Sequence, residues 1–269
     1  MAVRHPGGAY RGSRHHGRVS PLPVDRYRTE LETHVAALAE SLRGVDLART
    51  VVTCPEWSLA VLARHVGVSA RWTAELVARR ATALMPMADV ADTAMPDGDD
   101  PRSRWLAASA RRLVDAVRDA PADARIWTFV GPRPAIFWLR RITGEAAVHR
   151  ADVALTLGRP FELAPEVAAD LLSEGLGLLA DRGGAAGRGE TLHFHATDGL
   201  GEAGEWLVRR SPDGIEVERR HARADVAVRG PATELLLVLL GRLPPTHPGM
   251  HVLGDESVLA TWLEDTRFG

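Results

Sequence analysis

Residues 137–153 read FWLRRITGEAAVHRADV, and the spacing of their apolar and ionisable side chains decides how the rest of the chain is read. Alternating steps of four and three pick out Trp138, Ile142, Glu145, His149, Asp152 and, just beyond, Thr156. Such a row is a continuous helical seam of the kind that faces the core of a bundle. Three of its members are ionisable. A carboxylate and an imidazole buried alone cost several kcal/mol, so these groups must be paired, hydrated or bound to an ion.

Working upstream, the chain supplies three partner helices. Leu31, Val35, Leu38 and Leu42 recur at helical spacing and predict a first helix from Asp25 to about Leu42. The turn TVVTCPEW (50–57) precedes SLAVLARHVGVSARWTAELVARRA (58–81). There Ser58 is a suitable N-cap and Leu59, Leu62, Val66 and Leu76 form an amphipathic stripe. The segment 83–101 carries three prolines and several acids, which predicts a loop with at most a short helical turn. A third helix follows from about Arg102 to Asp119, with Leu106, Ala110, Leu113 and Val117 facing inward. The fourth, after the VGPRP loop (130–134), ends near Gly158 with Pro160 beyond. Four helices of about twenty residues predict an antiparallel bundle.

Downstream of Pro160 the pattern changes. One helix is expected near 165–181, then a linker RGGAAGRG (182–189), then strands at 191–197, 205–210, 214–220 and 225–229. The Asp-Gly pairs at 198–199 and 213–214 mark turns, and two short helices near 231–241 and 255–264 close the chain. The fold class expected is therefore α+β, mainly α: a tail over 1–22, a helical bundle over 23–160 and a smaller α+β domain over 161–269. The tail, with His15 and His16, has no apolar period and reads as flexible. The glycine-rich linker lacks the strand-before, helix-after order of a phosphate loop.

Composition narrows the function. The 269 residues are 45% hydrophobic and 25% charged with a formal net charge of −2, ordinary for a globular chain and without the basic footprint of a nucleic-acid partner. No long apolar span or leader-like segment is evident, so the chain reads as cytoplasmic with no membrane partner, and a monomer is expected. A single cysteine, Cys54, excludes an internal disulfide. There is no lysine, asparagine or glutamine, which excludes Schiff-base chemistry on lysine and looks like the codon bias of a GC-rich genome.

Glu145 and His149, four apart, can reach one cation. On the second helix His65 shares a row with Val61, Val68 and Trp72 and also points toward the bundle interior. Two histidines and one glutamate, with a position left for water or substrate, match a catalytic zinc site in ligand type, and nickel or iron would fit the same donors. The same spacing also suits a surface ion pair, and a histidine on an apolar face is commonly a hydrogen-bonded core residue. Asp152 can support His149, hold water or be a solvated charge.

VVTCPEWSLAVLARHVG (51–67) followed by WTFVGPRPAIFWLRRITGEAAVHRADV (127–153) resembles the two halves of the mycothiol-dependent maleylpyruvate isomerase family, and VRGPATELLLVLLGRLP (228–244) and VLATWLEDTRF (258–268) resemble its C-terminal end. The resemblance implies a DinB-like metal-binding bundle joined to a sterol-carrier-like α+β domain. It implies Zn2+ held by His65, Glu145 and His149, with Asp152 beside the metal and all four residues catalytic. It further implies mycothiol as the thiol cosubstrate and a small-molecule electrophile. An actinobacterial host agrees with the composition. Thiol addition to a conjugated cis double bond, followed by rotation and expulsion, gives the trans isomer; a retained adduct makes the enzyme a mycothiol S-transferase. Arg133, Arg140 and Arg223 are the candidates for holding the cosubstrate, with Arg141 and Arg220 near them in sequence. Cys54 reads as part of a packing turn in which Trp57 caps the bundle. Glu56 stands where the family commonly has glycine, which alters that turn or puts a charge at the pocket rim. The alternative on the same scaffold is a non-catalytic small-molecule-binding protein.

Overall fold

A computed structural model describes residues 22–267. Of the expected tail, only Leu22 falls within them; His15 and His16 lie outside. The bundle helices are α1 (Val24–Ser41), α2 (Leu59–Ala78), α3 (Asp99–Asp119) and α4 (Ile136–Leu157). Their predicted inward residues Leu31, Leu38, Leu42, Leu59, Leu62, Leu76, Leu106 and Leu113 are fully buried. Both α1 and α2 pack against α3 and α4, so α1 and α2 occupy opposite corners. Helix α3 starts three residues earlier than the periodicity suggested. Gly98 turns the chain at φ +83°, and Asp99 and Asp100 sit at the positive N-terminal end, where Pro101 is tolerated because its missing N–H has no helical partner anyway.

Ser58 caps α2 through a hydrogen bond to its hydroxyl oxygen from the Val61 N–H, 3.3 Å. Before it, Thr50–Val51 (β1) and Cys54–Ser58 (β2) form a short antiparallel hairpin that the sequence pattern had suggested only as a turn. The hairpin docks on the far end of α4: Val52 N–H donates to Thr156 Oγ1 at 3.2 Å and Thr53 Oγ1 to Asp152 Oδ1 at 2.6 Å. The prolines of 83–101 leave one short 3-10 turn, Met87–Asp89.

The second half begins with α5 (Pro165–Asp181), followed by β3 (Thr191–Ala196), β4 (Glu205–Ser211), β5 (Gly214–Glu218), β6 (Val226–Gly230), α6 (Ala232–Leu239), β7 (His251–Gly254) and α7 (Glu256–Asp265). The sheet runs β5-β4-β3-β6-β7, parallel only between β3 and β6. Leu192, Phe194, Trp206, Val208, Val226 and Val228 turn one face of it to the helices and form a second core. Helix α4 belongs to both cores: Leu139, Ala146 and Val153 face the bundle while Ala147 faces the other. The two halves are further joined by Arg140, which donates from Nε and Nη2 to Asp170 on α5 at 3.0 and 2.8 Å, and by Tyr27 Oη on α1, which donates to the same carboxylate at 2.7 Å. No helix of the described residues is long and apolar enough to cross a membrane.

Candidate metal centre and its cavity

The polar seam of α4 meets α2 beneath the β1–β2 hairpin. His65 Nε2 lies 3.4 Å from Glu145 Oε2, and His149 Nε2 lies 3.5 Å from the same oxygen. The ligand atoms of His65, Glu145 and His149 all fall within 4.8 Å of one another. Trp57, carried on β2, lays its ring against both imidazoles with centroids 4.8 and 5.7 Å away. The Cys-Pro-Glu-Trp turn therefore places an aromatic wall beside the three donors. Glu56 is exposed at the cavity rim.

His149 is held from behind. Its Nδ1 faces Asp152 Oδ2 at 2.9 Å, and Asp152, fully buried, also accepts from Thr53 and from Arg242 Nε at 3.1 Å. Burial would push the Asp152 carboxyl up, but His149, Arg242 and Thr53 outweigh it and hold it below its usual range. A carboxylate accepting from Nδ1 fixes the ring's tautomer and leaves Nε2 facing Glu145. With carboxylates at both ring nitrogens, hydrogen bonds to Asp152 and Glu145 override burial, which acts the other way, and raise the imidazole to about 8. Glu145 is itself held well below the carboxylate range: burial opposes this, and His149, His65 and Arg141 outweigh burial. The donor set fits a divalent cation. Two imidazole nitrogens converge on one ionised carboxylate oxygen, and one imidazole already has its second nitrogen engaged, as metal-binding histidines commonly do.

These donors line a cavity of about 970 Å3 between α2, α4, α5, α6 and the hairpin. Its aromatic wall is rigid because the indole N–H groups find backbone carbonyls: Trp72 donates to Met85 and Trp138 to Trp127, at 2.9 and 2.8 Å. Three arginines line it. Arg141 bridges Glu145 and Glu174 at 3.2 and 2.9 Å, and Arg242 is committed to Asp152. Arg182 stands over the Phe129 ring at 5.8 Å with no carboxylate within ion-pair distance among the described residues. Cys54 also lines the cavity, 3.9 Å from Arg242; burial, then Asp152, push its thiol up, which disfavours the thiolate.

The structure brings His65, Glu145, His149 and Asp152 together. It does not bring the three arginines picked for cosubstrate binding to the cavity wall: Arg133 pairs with Asp181, Arg140 is locked on Asp170, and Arg223 is exposed elsewhere. Sequence reasoning missed Arg182 and Arg242. The signal for Arg242 was local. Gly241 at φ +70° closes α6 with a Gly241 N–H to Val238 C=O bond and an Arg242 N–H to Leu237 C=O bond, the two-bond reversal that turns Arg242 back toward α4.

Comparison with known proteins matches residues 28–154 to the mycothiol maleylpyruvate isomerase N-terminal domain and residues 162–261 to the C-terminal domain of the same family. Two solved structures share the fold, a mycothiol-dependent maleylpyruvate isomerase and a mutant of it. They are 19% and 18% identical, each with a TM-score of 0.60 over 86% of this chain and 93% of theirs. No curated protein sequence matches this chain.

Proposed function

The chain belongs to the mycothiol maleylpyruvate isomerase family, and on that premise we propose that it is a zinc-dependent enzyme turning the thiol of mycothiol on an electrophilic unsaturated acid. The outcome is either cis/trans isomerisation of the maleylpyruvate type or a retained S-conjugate. The observation that carries this reading is the convergence of His65, Glu145 and His149 on the wall of a cavity large enough for two small molecules.

His65, Glu145 and His149 would hold the ion, and a divalent ion there supplies Lewis acidity that lowers a thiol's pKa toward neutrality. Every other part is played by the chain. Asp152 is a positioning residue: it holds the His149 ring so that Nε2 stays turned to the cavity. Arg242 keeps Asp152 ionised and anchors α6 to α4. Trp57 packs its ring against His65 and His149 and walls one side of the site. Arg182, a cation at the cavity wall with no carboxylate of its own, is placed to receive a substrate carboxylate. Thiol addition to a conjugated double bond leaves a single bond that rotates, with the electron pair on the carbonyl oxygen. Expelling the thiolate restores the double bond, whereas protonating the α-carbon keeps the adduct.

The test is turnover of maleylpyruvate and of related unsaturated acids by zinc-loaded protein, with and without mycothiol. Thiol-dependent isomerisation or conjugate formation, with KM raised about ten-fold or more in Arg182→Ala, is expected for a lost charged hydrogen bond. Absence of any thiol-dependent product across the panel, with zinc bound, would leave a ligand-binding role on the same scaffold instead.

A further inference from the structure

A second cluster lies on the face of the five-stranded sheet turned away from the helices. Strand alternation sends Leu192 and Phe194 into the core and His193 and His195 to the opposite face. In the register of β3 with β4, His195 stands opposite Glu205 and His193 opposite Leu207, so both imidazoles flank the Glu205 carboxylate on one face. The connection from β5 to β6 brings His221 over the same carboxylate.

One carboxylate thus faces three imidazoles. His193 Nε2 lies 2.6 Å from Glu205 Oε2, while His221 Nδ1 and His195 Nδ1 lie 3.1 and 3.5 Å from Oε1. The rings stand 4.9 Å (His193 to His221), 5.6 Å (His195 to His221) and 6.0 Å (His193 to His195) apart. The ligand atoms of His193, Glu205 and His221 fall within 4.8 Å of one another, as do those of the bundle triad. In a tetrahedral site with bonds of about 2.0–2.1 Å the donor atoms stand roughly 3.3 Å apart, so modest side-chain rotation closes the set. His193 is 3% and Glu205 9% exposed, whereas the His221 side chain is 72% exposed, which leaves an open approach from solvent.

We propose that His193, Glu205 and His221 form a second divalent-metal site, with His195 beside them as a fourth ligand. Imidazole-rich donors with one carboxylate suit Zn2+ and its neighbours Ni2+ and Cu2+ rather than Mg2+ or Ca2+, which prefer all-oxygen sets. The bound ion clamps the β5–β6 connection onto β3 and β4. That connection is already tied at its start by Arg219, which donates to the Ala203 carbonyl at 2.6 Å and to Ser173 on α5, with its guanidinium 4.4 Å from the Trp206 ring. The clamp therefore completes a short bridge between the outer sheet face and α5, a helix that lines the cavity. Arg229, opposite His195 on β6, and Glu218, opposite Leu207 on β5, are the nearest charges by register.

The test is zinc titration of the chelator-stripped full chain by calorimetry, with elemental analysis, for wild type, His149→Ala, and the double variant His195→Ala with His221→Ala. The double variant touches no buried core side chain. Expected are one equivalent retained by His149→Ala, one equivalent fewer in the double variant than in wild type, and a zinc-dependent rise in Tm of His149→Ala that vanishes when all three substitutions are combined. The site stands even if the bundle binds nothing, because its equivalent follows His195 and His221 and not His149. It is overturned if His149→Ala binds no zinc, or if zinc uptake is the same in the double variant as in wild type.

Discussion

At the scale of single residues, Asp152 shows how a side chain behind the cavity wall orients one that forms it. It is fully buried and accepts from Thr53, Arg242 and the His149 ring, three side chains that themselves line the cavity. Asp152→Asn keeps the volume but replaces a double acceptor of charged donors with a neutral amide. Zinc affinity measured by competition with a chromogenic chelator is expected to fall about 10–100-fold while the far-UV spectrum stays unchanged. An unaltered affinity would mean that His149 needs no support. His34, on α1, is a different case: it is 3% exposed, and burial, then the Arg150 guanidinium, push its pKa from 6.5 down to about 4. The folded chain keeps this ring neutral while the unfolded chain takes up a proton below about pH 6.5. Stability conferred above that pH is thus lost progressively as pH falls to about 4, by up to about 3 kcal/mol. The stability of His34→Gln, followed by urea unfolding, is expected to vary less with pH across this window; parallel curves for variant and wild type would contradict it.

At the scale of elements, the bundle rests on close helix contacts that small residues allow. A Cβ on Gly67 would stand 2.0 Å from the Trp105 ring, so α2 and α3 approach only because that position has no side chain. Gly67→Ala gains helix propensity of roughly 1 kcal/mol but forces a large half-locked indole to move, and overpacking of this kind costs about 1–3 kcal/mol. Reduced stability in urea unfolding is the expected net result; a stabilised variant would mean that Trp105 moves freely. Helices and most of their ends were legible in the sequence because apolar period, the Ser58 cap, Gly158 and the prolines all act locally, the start of α3 being the exception. The β1–β2 hairpin was not, since two residues and five residues show no alternation and are held in place by Thr156 and Asp152 a hundred positions away. Strand β7 escaped for the same reason: four residues, mostly exposed, paired only to β6.

At the scale of the whole molecule, the shared face of Glu145, His149 and Asp152 could be read from sequence because helical spacing sets it, while the reading of Glu145 and His149 with His65 as metal donors rested on the family resemblance. The arginines could not, because guanidinium partners are chosen by tertiary packing. Arg140, next in sequence to the cavity residue Arg141, turns the other way to join α4 to Asp170 of α5, while Arg242, ninety residues from Asp152, turns inward. The α+β half thereby supplies one wall of the cavity and the cation that pairs with Asp152, the carboxylate behind His149. The centre exists only in the folded chain, since His65 and Glu145 are eighty residues apart and meet only when α2 packs on α4. The decisive measurement is zinc per chain together with mycothiol-dependent turnover, for wild type, His65→Ala and His149→Ala purified identically and shown to be folded. One zinc equivalent fewer than wild type in each variant, with loss of turnover in both, is the expected result. Unchanged zinc content, or full turnover in either variant, would contradict the assignment of His65, Glu145 and His149 as the catalytic metal site.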